Sequence, residues 1–104
     1  MTRIAKTPEP PYYAVIAPAD LATNTSGYHE LAQELIAIAQ TIPGFIGIEG
    51  AIEESFGLAV SYWQSTEAIQ LWRRHTQHVA AKTRGKRDWF THYKTRIAKV
   101  ERDY

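Results

Sequence analysis

Residues 56–63 read FGLAVSYW, a stretch in which large and small side chains alternate. A period of two is typical of a β-strand, because successive side chains point to opposite faces. The predicted strand therefore has one bulky face and one face that is nearly empty until its last residue. The bulky face carries Phe56, Leu58, Val60 and Tyr62, and the other carries Gly57, Ala59, Ser61 and Trp63.

The segments before this strand predict a strand, a helix and a second strand. The run YYAVIAP at 12–18 is aromatic and β-branched, which favours a strand. Between 28 and 41, apolar residues recur at helical spacing, and Ser26 is the expected N-cap. The run FIGIEGAI at 45–52 alternates again, and a turn at 53–55 joins it to the 56–63 strand as a hairpin.

The segments after it predict one long helix and a last strand. Ser65 is the expected cap of a helix that runs to about Thr83, and Gly85 is expected to end it. A helical wheel places Val79 in the buried centre of this helix. The last strand is predicted over 93–102.

The order strand, helix, strand, strand, helix, strand predicts an α+β protein with a ferredoxin-like βαββαβ sandwich. Residues 12–104 form this single domain, and residues 1–11, with three prolines, form an extended N-terminal arm. Two helices cover one face of a sheet, whereas the predicted strands carry apolar residues on both. A second copy of the chain would bury the other face, which predicts a homodimer through the sheet face in the form of a dimeric α/β barrel.

The composition excludes several classes of function. Twelve Lys and Arg against eleven Asp and Glu leave a net charge of +1, so no global field attracts nucleic acid or an anionic membrane. The 104 residues include no cysteine, which excludes disulfides, thiolate catalysis and Cys-based metal sites. No signal peptide and no stretch of roughly 20 apolar residues is present. We therefore expect a cytoplasmic protein that binds neither nucleic acid nor a membrane.

The nearly empty strand face predicts a pocket. Ala59 and Ser61 leave a gap opposite the second helix, on which Trp72 and His75 lie one turn apart. A histidine in such a cavity can take or give a proton near neutral pH. The alternative is that bulky helix side chains fill the gap. His78 is rotated further out on the wheel and is expected to be solvated or at a rim.

No metal site is expected. His75 and His78 can supply two ligands, but the zinc patterns built on cysteine or on HExxH are absent. The basic residues between Lys82 and Arg87 are typical of a solvated helix end, where positive charge suits the helix dipole. An anionic substrate or heme propionates are the alternative partners of that run.

The stretch from Phe56 to His78 also resembles the antibiotic biosynthesis monooxygenase (ABM) superfamily, and the similarity extends from Tyr12 to Arg102. The likeness is strongest to small bacterial members with a W-x-S-x-E-A-I-x-x-W-x-x-H pattern. Here Trp63, Ser65, Glu67, Ala68, Ile69, Trp72 and His75 fill that pattern, and the later aromatic and basic positions match Trp89, Phe90, Tyr93, Arg96 and Arg102.

The resemblance implies a dimeric α/β barrel and oxygenation without flavin or metal. In that chemistry an electron-rich phenol, such as an anthrone-type polyketide, is deprotonated and reacts directly with O2. The resemblance also aligns Trp63 with the tryptophan that lines the pocket in the family. The sequence departs from both branches of the superfamily. The polyketide enzymes carry an asparagine at the position of Ala59. The heme-degrading branch carries a heme-ligating histidine at the position of Lys82 and an asparagine on its first strand, whereas YYAVIAP contains none.

The predicted function is therefore a cofactor-independent monooxygenase that acts on a small aromatic or polyketide-type substrate. His75 is the predicted acid or base, and Trp63 and Trp72 complete the predicted catalytic set as the aromatic walls of the pocket. A heme-binding or heme-degrading protein and a non-catalytic ligand-binding dimer are the alternatives. The predicted substrate-binding residues are Ala59, Ser61, Tyr93, Arg96 and Trp89.

Overall fold

A computed structural model describes residues 2–24 and 26–104, apart from the side chains of residues 76 and 77. None of its helices is both long enough and apolar enough to cross a membrane. The elements are β1 (Tyr12–Leu21), α1 (Tyr28–Gln40), β2 (Phe45–Glu53), β3 (Phe56–Trp63), α2 (Thr66–Arg74), α3 (Thr76–Asp88), β4 (Phe90–Tyr93) and β5 (Arg96–Val100).

The strands form one antiparallel sheet in the order β2-β3-β1-β4, and β5 also pairs with β1. This order confirms the predicted α+β, ferredoxin-like arrangement. The single last strand predicted over 93–102 was wrong. Two strands form there, separated by residues 94 and 95. The first, β4, pairs with residues 19–21 of β1, and the second, β5, pairs with residues 12–16.

The alternation in β3 is confirmed by its register. Trp63 lies opposite Tyr13 and Ser61 opposite Val15, so the row of small residues shares the helix-covered face of the sheet with the core. Phe56 and Leu58, on the other face, are 46% and 39% exposed. The core on the helix side consists of Val15, Ile38, Ala39, Trp63, Ala68, Ile69 and Trp72.

The long helix predicted after Ser65 is broken at His75. This residue is extended (φ −60°, ψ 130°), and its N–H donates to Trp72 O at 3.1 Å as the last bond of α2, while its carbonyl accepts from Val79 N at 2.9 Å. The break changes the angular phase of every later residue. Val79, predicted at the helix centre, is therefore 51% exposed.

Two predicted helix ends were also wrong. Gly85 lies inside α3, which continues to Asp88, and a Cβ at Gly85 would come within 2.9 Å of the Phe90 ring. The glycine thus serves close packing rather than termination. At α1 the N-cap is Gly27, with φ 87°, and not Ser26, because the left-handed turn there suits a residue without a Cβ. Ser65 is confirmed as the cap of α2, since its side chain accepts from Ala68 N at 3.1 Å.

The segment before β1 contacts the sheet on the side opposite the helices. Ala5 packs over Gly47, and its N–H donates to the Glu49 carboxylate at 2.8 Å. The same carboxylate accepts from the Tyr62 hydroxyl at 2.5 Å. These bonds lower the pKa of Glu49, the Tyr62 hydroxyl contributing more than the Ala5 amide. Burial, and then the Glu49 carboxylate, raise the pKa of Tyr62 to about 12.

We predict that Glu49→Ala releases this segment from the sheet. The variant removes the only acceptor that the Ala5 amide has in the described structure, and charge-assisted hydrogen bonds are the stronger kind. Tryptic cleavage after Lys6 should then be faster by about tenfold. Glu53→Ala, on the same strand and face, is the matched control. Equal cleavage of both variants and the parent would mean that Glu49 does not hold the segment.

Candidate active site between the helices and the sheet

A cavity of about 480 Å³ lies between the helix-covered face of the sheet and the helices α1 and α3. Its volume is typical of small-molecule sites. The sheet contributes short side chains to its floor, among them Ala17, Ala19 and Ala59. The walls are larger and mostly apolar, and they include Tyr28, Leu31, Leu35, Ile36, Trp72 and Phe90.

Trp63 and Ser61 support this cavity rather than line it. Trp63 is fully buried, and its Nε1 donates to Ser61 Oγ at 2.9 Å. The Trp63 ring lies 4.9 Å from the Trp72 ring and 5.2 Å from the Phe45 ring. The gap predicted at Ser61 is therefore occupied by the core, whereas the gap at Ala59 opens into the cavity.

His78 is the histidine of the cavity wall. It is only 8% exposed, and its ring centroid lies 4.4 Å from that of Trp72 in an edge-on arrangement. Among the described residues, neither His78 Nδ1 nor Trp72 Nε1 has a hydrogen-bond partner. Burial lowers the pKa of His78 to about 4, with further lowering by Lys82, Arg73 and His75. The imidazole is therefore neutral at neutral pH.

His75 lies elsewhere. It sits at the junction of α2 and α3 and lines a separate groove, between α1 and α3, with Glu34, Thr41 and Arg84. The structure thus does not bring His75 to the cavity beside Trp72, as the wheel of an unbroken helix predicted. The prediction that His78 lies at a rim was wrong for the same reason, because the break at residue 75 turns the face of α3 that carries His78 inward.

The lining of the cavity carries an excess of positive charge. It includes Arg73, Lys82, Lys86 and Lys94 and contains no aspartate or glutamate among the described residues. Lys82 Nζ lies 5.0 Å from the centroid of the Phe90 ring, and Lys86 Nζ lies 5.1 Å from that of Tyr93. Burial, and then Lys86, lower the pKa of Lys82. The predicted solvated helix end is therefore half-buried at Lys82.

Of the remaining predicted site residues, one lines the cavity and two do not. Tyr93 is in the lining, close to Lys82 and Lys86. Trp89 is not, since its Nε1 donates to Ser26 O at 2.9 Å and its ring packs against Tyr28. Arg96 is exposed on β5, opposite Ile16, and is not in the lining. No group of three or more His, Cys, Asp or Glu side chains within residues 2–24 and 26–104 is placed to hold a metal ion.

Sequence reasoning missed His78, Lys82 and Lys86 as a set. The buried residues of α3, His78, Ala81 and Gly85, recur at i, i+3 and i+7, but none of them is a large apolar residue, so hydrophobic periodicity does not mark this stripe in the sequence. That stripe is out of phase with the buried stripe of α2, formed by Ala68, Ile69 and Trp72. Two stripes of different phase indicate two helices rather than one.

Comparison with known proteins identifies a relative by sequence. No protein-family model matches the chain. The uncharacterized protein YqjZ of Bacillus subtilis strain 168 is 47% identical over 103 residues, which cover 98% of this chain and 90% of YqjZ.

Two solved structures match at low identity. A mutant of SnoaB, a cofactor-independent oxygenase from Streptomyces nogalater, superimposes with a TM-score of 0.79 at 9% identity, covering 88% of this chain and 95% of SnoaB. A candidate antibiotic biosynthesis monooxygenase from Nitrosomonas europaea gives 0.75 at 11% identity, covering 86% and 89% of the two chains. The chain therefore belongs to one family with YqjZ, and it shares its fold with SnoaB and with the candidate antibiotic biosynthesis monooxygenase of Nitrosomonas europaea.

Proposed function

We propose that this protein is a cofactor-independent oxygenase of the ABM type that acts on a small phenolic substrate in the cavity of about 480 Å³. The observation that carries the proposal is the pair of ring nitrogens without partners, Trp72 Nε1 and His78 Nδ1, on rings 4.4 Å apart in an apolar wall. Buried polar atoms in a folded protein are normally hydrogen-bonded, so an unpaired pair beside a cavity suits a bound polar group.

A phenol hydroxyl would be a hydrogen-bond partner for both nitrogens. The neutral His78 imidazole accepts the phenolic proton, and the Trp72 N–H donates to the oxygen on which negative charge develops. The low pKa of the free imidazole favours return of the proton later in the reaction, and a nearby phenolate raises that pKa while it is present.

The remaining chemistry belongs to the substrate. The deprotonated, electron-rich ring reduces O2 directly, one oxygen atom enters the product as a carbonyl in place of two hydrogens, and the other leaves as water. This balance needs no external reductant. The apolar walls around Leu31, Leu35 and Ile36 would hold the ring in one orientation and limit access of water.

We predict that His78→Ala lowers kcat/KM for oxidation of an anthrone-type phenol by about 10² to 10⁴, the usual contribution of a positioned acid or base. Oxygen uptake measured with a panel of oxidisable phenols provides the readout. His75→Ala is the matched control, because the two histidines lie three residues apart and His75 lines the other groove. In the parent, kcat/KM should stay level from neutral pH down toward about 4, where protonation of His78 abolishes its basicity.

The same pair of variants tests the prediction made for His75. Loss of activity in His75→Ala with full activity in His78→Ala would restore His75 as the base and contradict our assignment. A parent protein that consumes no oxygen with any phenol, yet gives a Soret shift with hemin, would favour the heme-binding alternative. Binding of phenols without oxygen uptake would favour a non-catalytic ligand-binding protein.

The protein is also proposed to act as a homodimer through the face of the sheet that the helices leave uncovered. Phe56 and Leu58 are exposed there side by side along β3, and Leu58 lies opposite Pro18 on β1. Exposed apolar residues grouped on one sheet face favour burial against a partner, and a symmetric dimer uses the same patch twice.

We predict that Leu58→Glu converts a dimer into a monomer, because the interface would bury a carboxylate from each copy without a counter-charge. Sedimentation equilibrium or native mass spectrometry measures the change. Leu71→Glu is the control, since Leu71 is exposed on α2 and away from this face. A parent that is monomeric at micromolar concentration would contradict the proposed dimer.

A further inference from the structure

We infer that the ligand of the cavity is an anion, an apolar ring system with a carboxylate or phosphate at the end that Lys82 and Lys86 line. The inference rests on the proposed function, in that it names the substrate class of the same site. It adds a second recognition point, which begins one helical turn along α3 from His78.

The pairing of the other basic residues of α3 supports this. Arg84 forms an ion pair with Glu34 of α1, and Arg87 pairs with Asp88 at 2.8 Å. Lys82 and Lys86, in contrast, form no salt bridge with any residue in the described ranges 2–24 and 26–104. The carboxylates near α3 are thus taken by the arginines, and the cavity side is left with unbalanced positive charge.

The surroundings of Lys82 also support an anion. Its ammonium lies over Phe90 at 5.0 Å and near Tyr93 at 5.6 Å, both of which line the cavity. Aromatic faces stabilise a cation only modestly in place of the water it has lost. Desolvation and repulsion by Lys86 both disfavour the charged form, and a carboxylate between the two ammonium groups would relieve both effects.

The spacing along α3 gives the ligand its approximate size. His78, Lys82 and Lys86 follow one another at i, i+4 and i+8, so they form one row along the helix with steps of about 6 Å. A fused two-ring aromatic with a hydroxyl at one end and an anionic group at the other spans one such step. The phenol of the proposed reaction would then meet His78 while the anionic group meets Lys82.

The test compares three ligands that share a ring system and differ at one substituent. We would measure the binding of 1-naphthoate, 1-naphthyl phosphate and the uncharged 1-naphthylmethanol to the full chain by isothermal titration calorimetry at low salt. At least one anion should bind about tenfold more tightly than the alcohol, as expected for one partly buried charged contact. The stronger of the two anions identifies the preferred head group.

Two variants assign the effect. Lys82→Met keeps the length of the side chain without its charge, and it should remove the advantage of the anions while leaving the binding of the alcohol unchanged. Lys99→Met, on exposed β5 outside the cavity, should leave all three affinities as in the parent. A general fall in affinity for all three ligands in Lys82→Met would overturn the inference, and circular dichroism establishes that each variant is folded.

The outcomes separate this inference from the proposed function. Equal affinity for the alcohol and both anions overturns the anionic class, while oxygen uptake that depends on His78 with uncharged phenols would leave the proposed function intact. Failure of all three ligands to bind the parent, together with no oxygen uptake, overturns both. An anion advantage that disappears only in Lys82→Met supports the inference whether or not turnover is found.

Discussion

The contact between Trp63 and Trp72 is the constraint on which the site depends. Trp63 is fully buried at the end of β3, and the bond from its indole to Ser61 Oγ fixes the orientation of its ring. Trp72 lies 4.9 Å away and belongs to both the core and the cavity wall. Two rings of this size in a close-packed interior hold α2 at one position on the sheet, so the position of α3 follows from where α2 ends.

The break at His75 then decides which side chains reach the cavity. A continuous helix would carry the stripe of Trp72 on through residues 75, 76 and 79, whereas in the broken chain Val79 is 51% exposed. The extended residue resets the phase, so that His78, Ala81 and Gly85 become the buried face of α3. The missing side chain at Gly85 lets α3 approach Phe90 and Leu31 closely, and both of these residues line the cavity.

The sheet was predictable from the sequence because strand alternation is a local property. Alternation assigns each residue of 56–63 to one face of the sheet, whereas the register that pairs Trp63 with Tyr13 is known only from the structure. The existence of a gap at Ala59 was predictable from the same alternation. The break at His75 was not, because the residues 73–77 read RRHTQ, without the proline or glycine that usually marks an interruption. The extended conformation of His75, which the sequence does not indicate, places His78 in the cavity wall and His75 outside it, the reverse of the prediction.

The charges of α3 show how a chain of nearly neutral composition can contain a strongly polarised site. The net charge of +1 is a sum in which opposite charges cancel, and some of them form surface ion pairs, such as Arg84 with Glu34 and Arg87 with Asp88. Lys82 forms no ion pair with a described residue, and burial and its neighbour Lys86 both lower its pKa. Holding such a lysine near apolar walls destabilises the empty protein, because its charge has lost water and gained no counter-ion. The anionic ligand that we infer would remove that penalty on binding, so the complex would gain stability at Lys82.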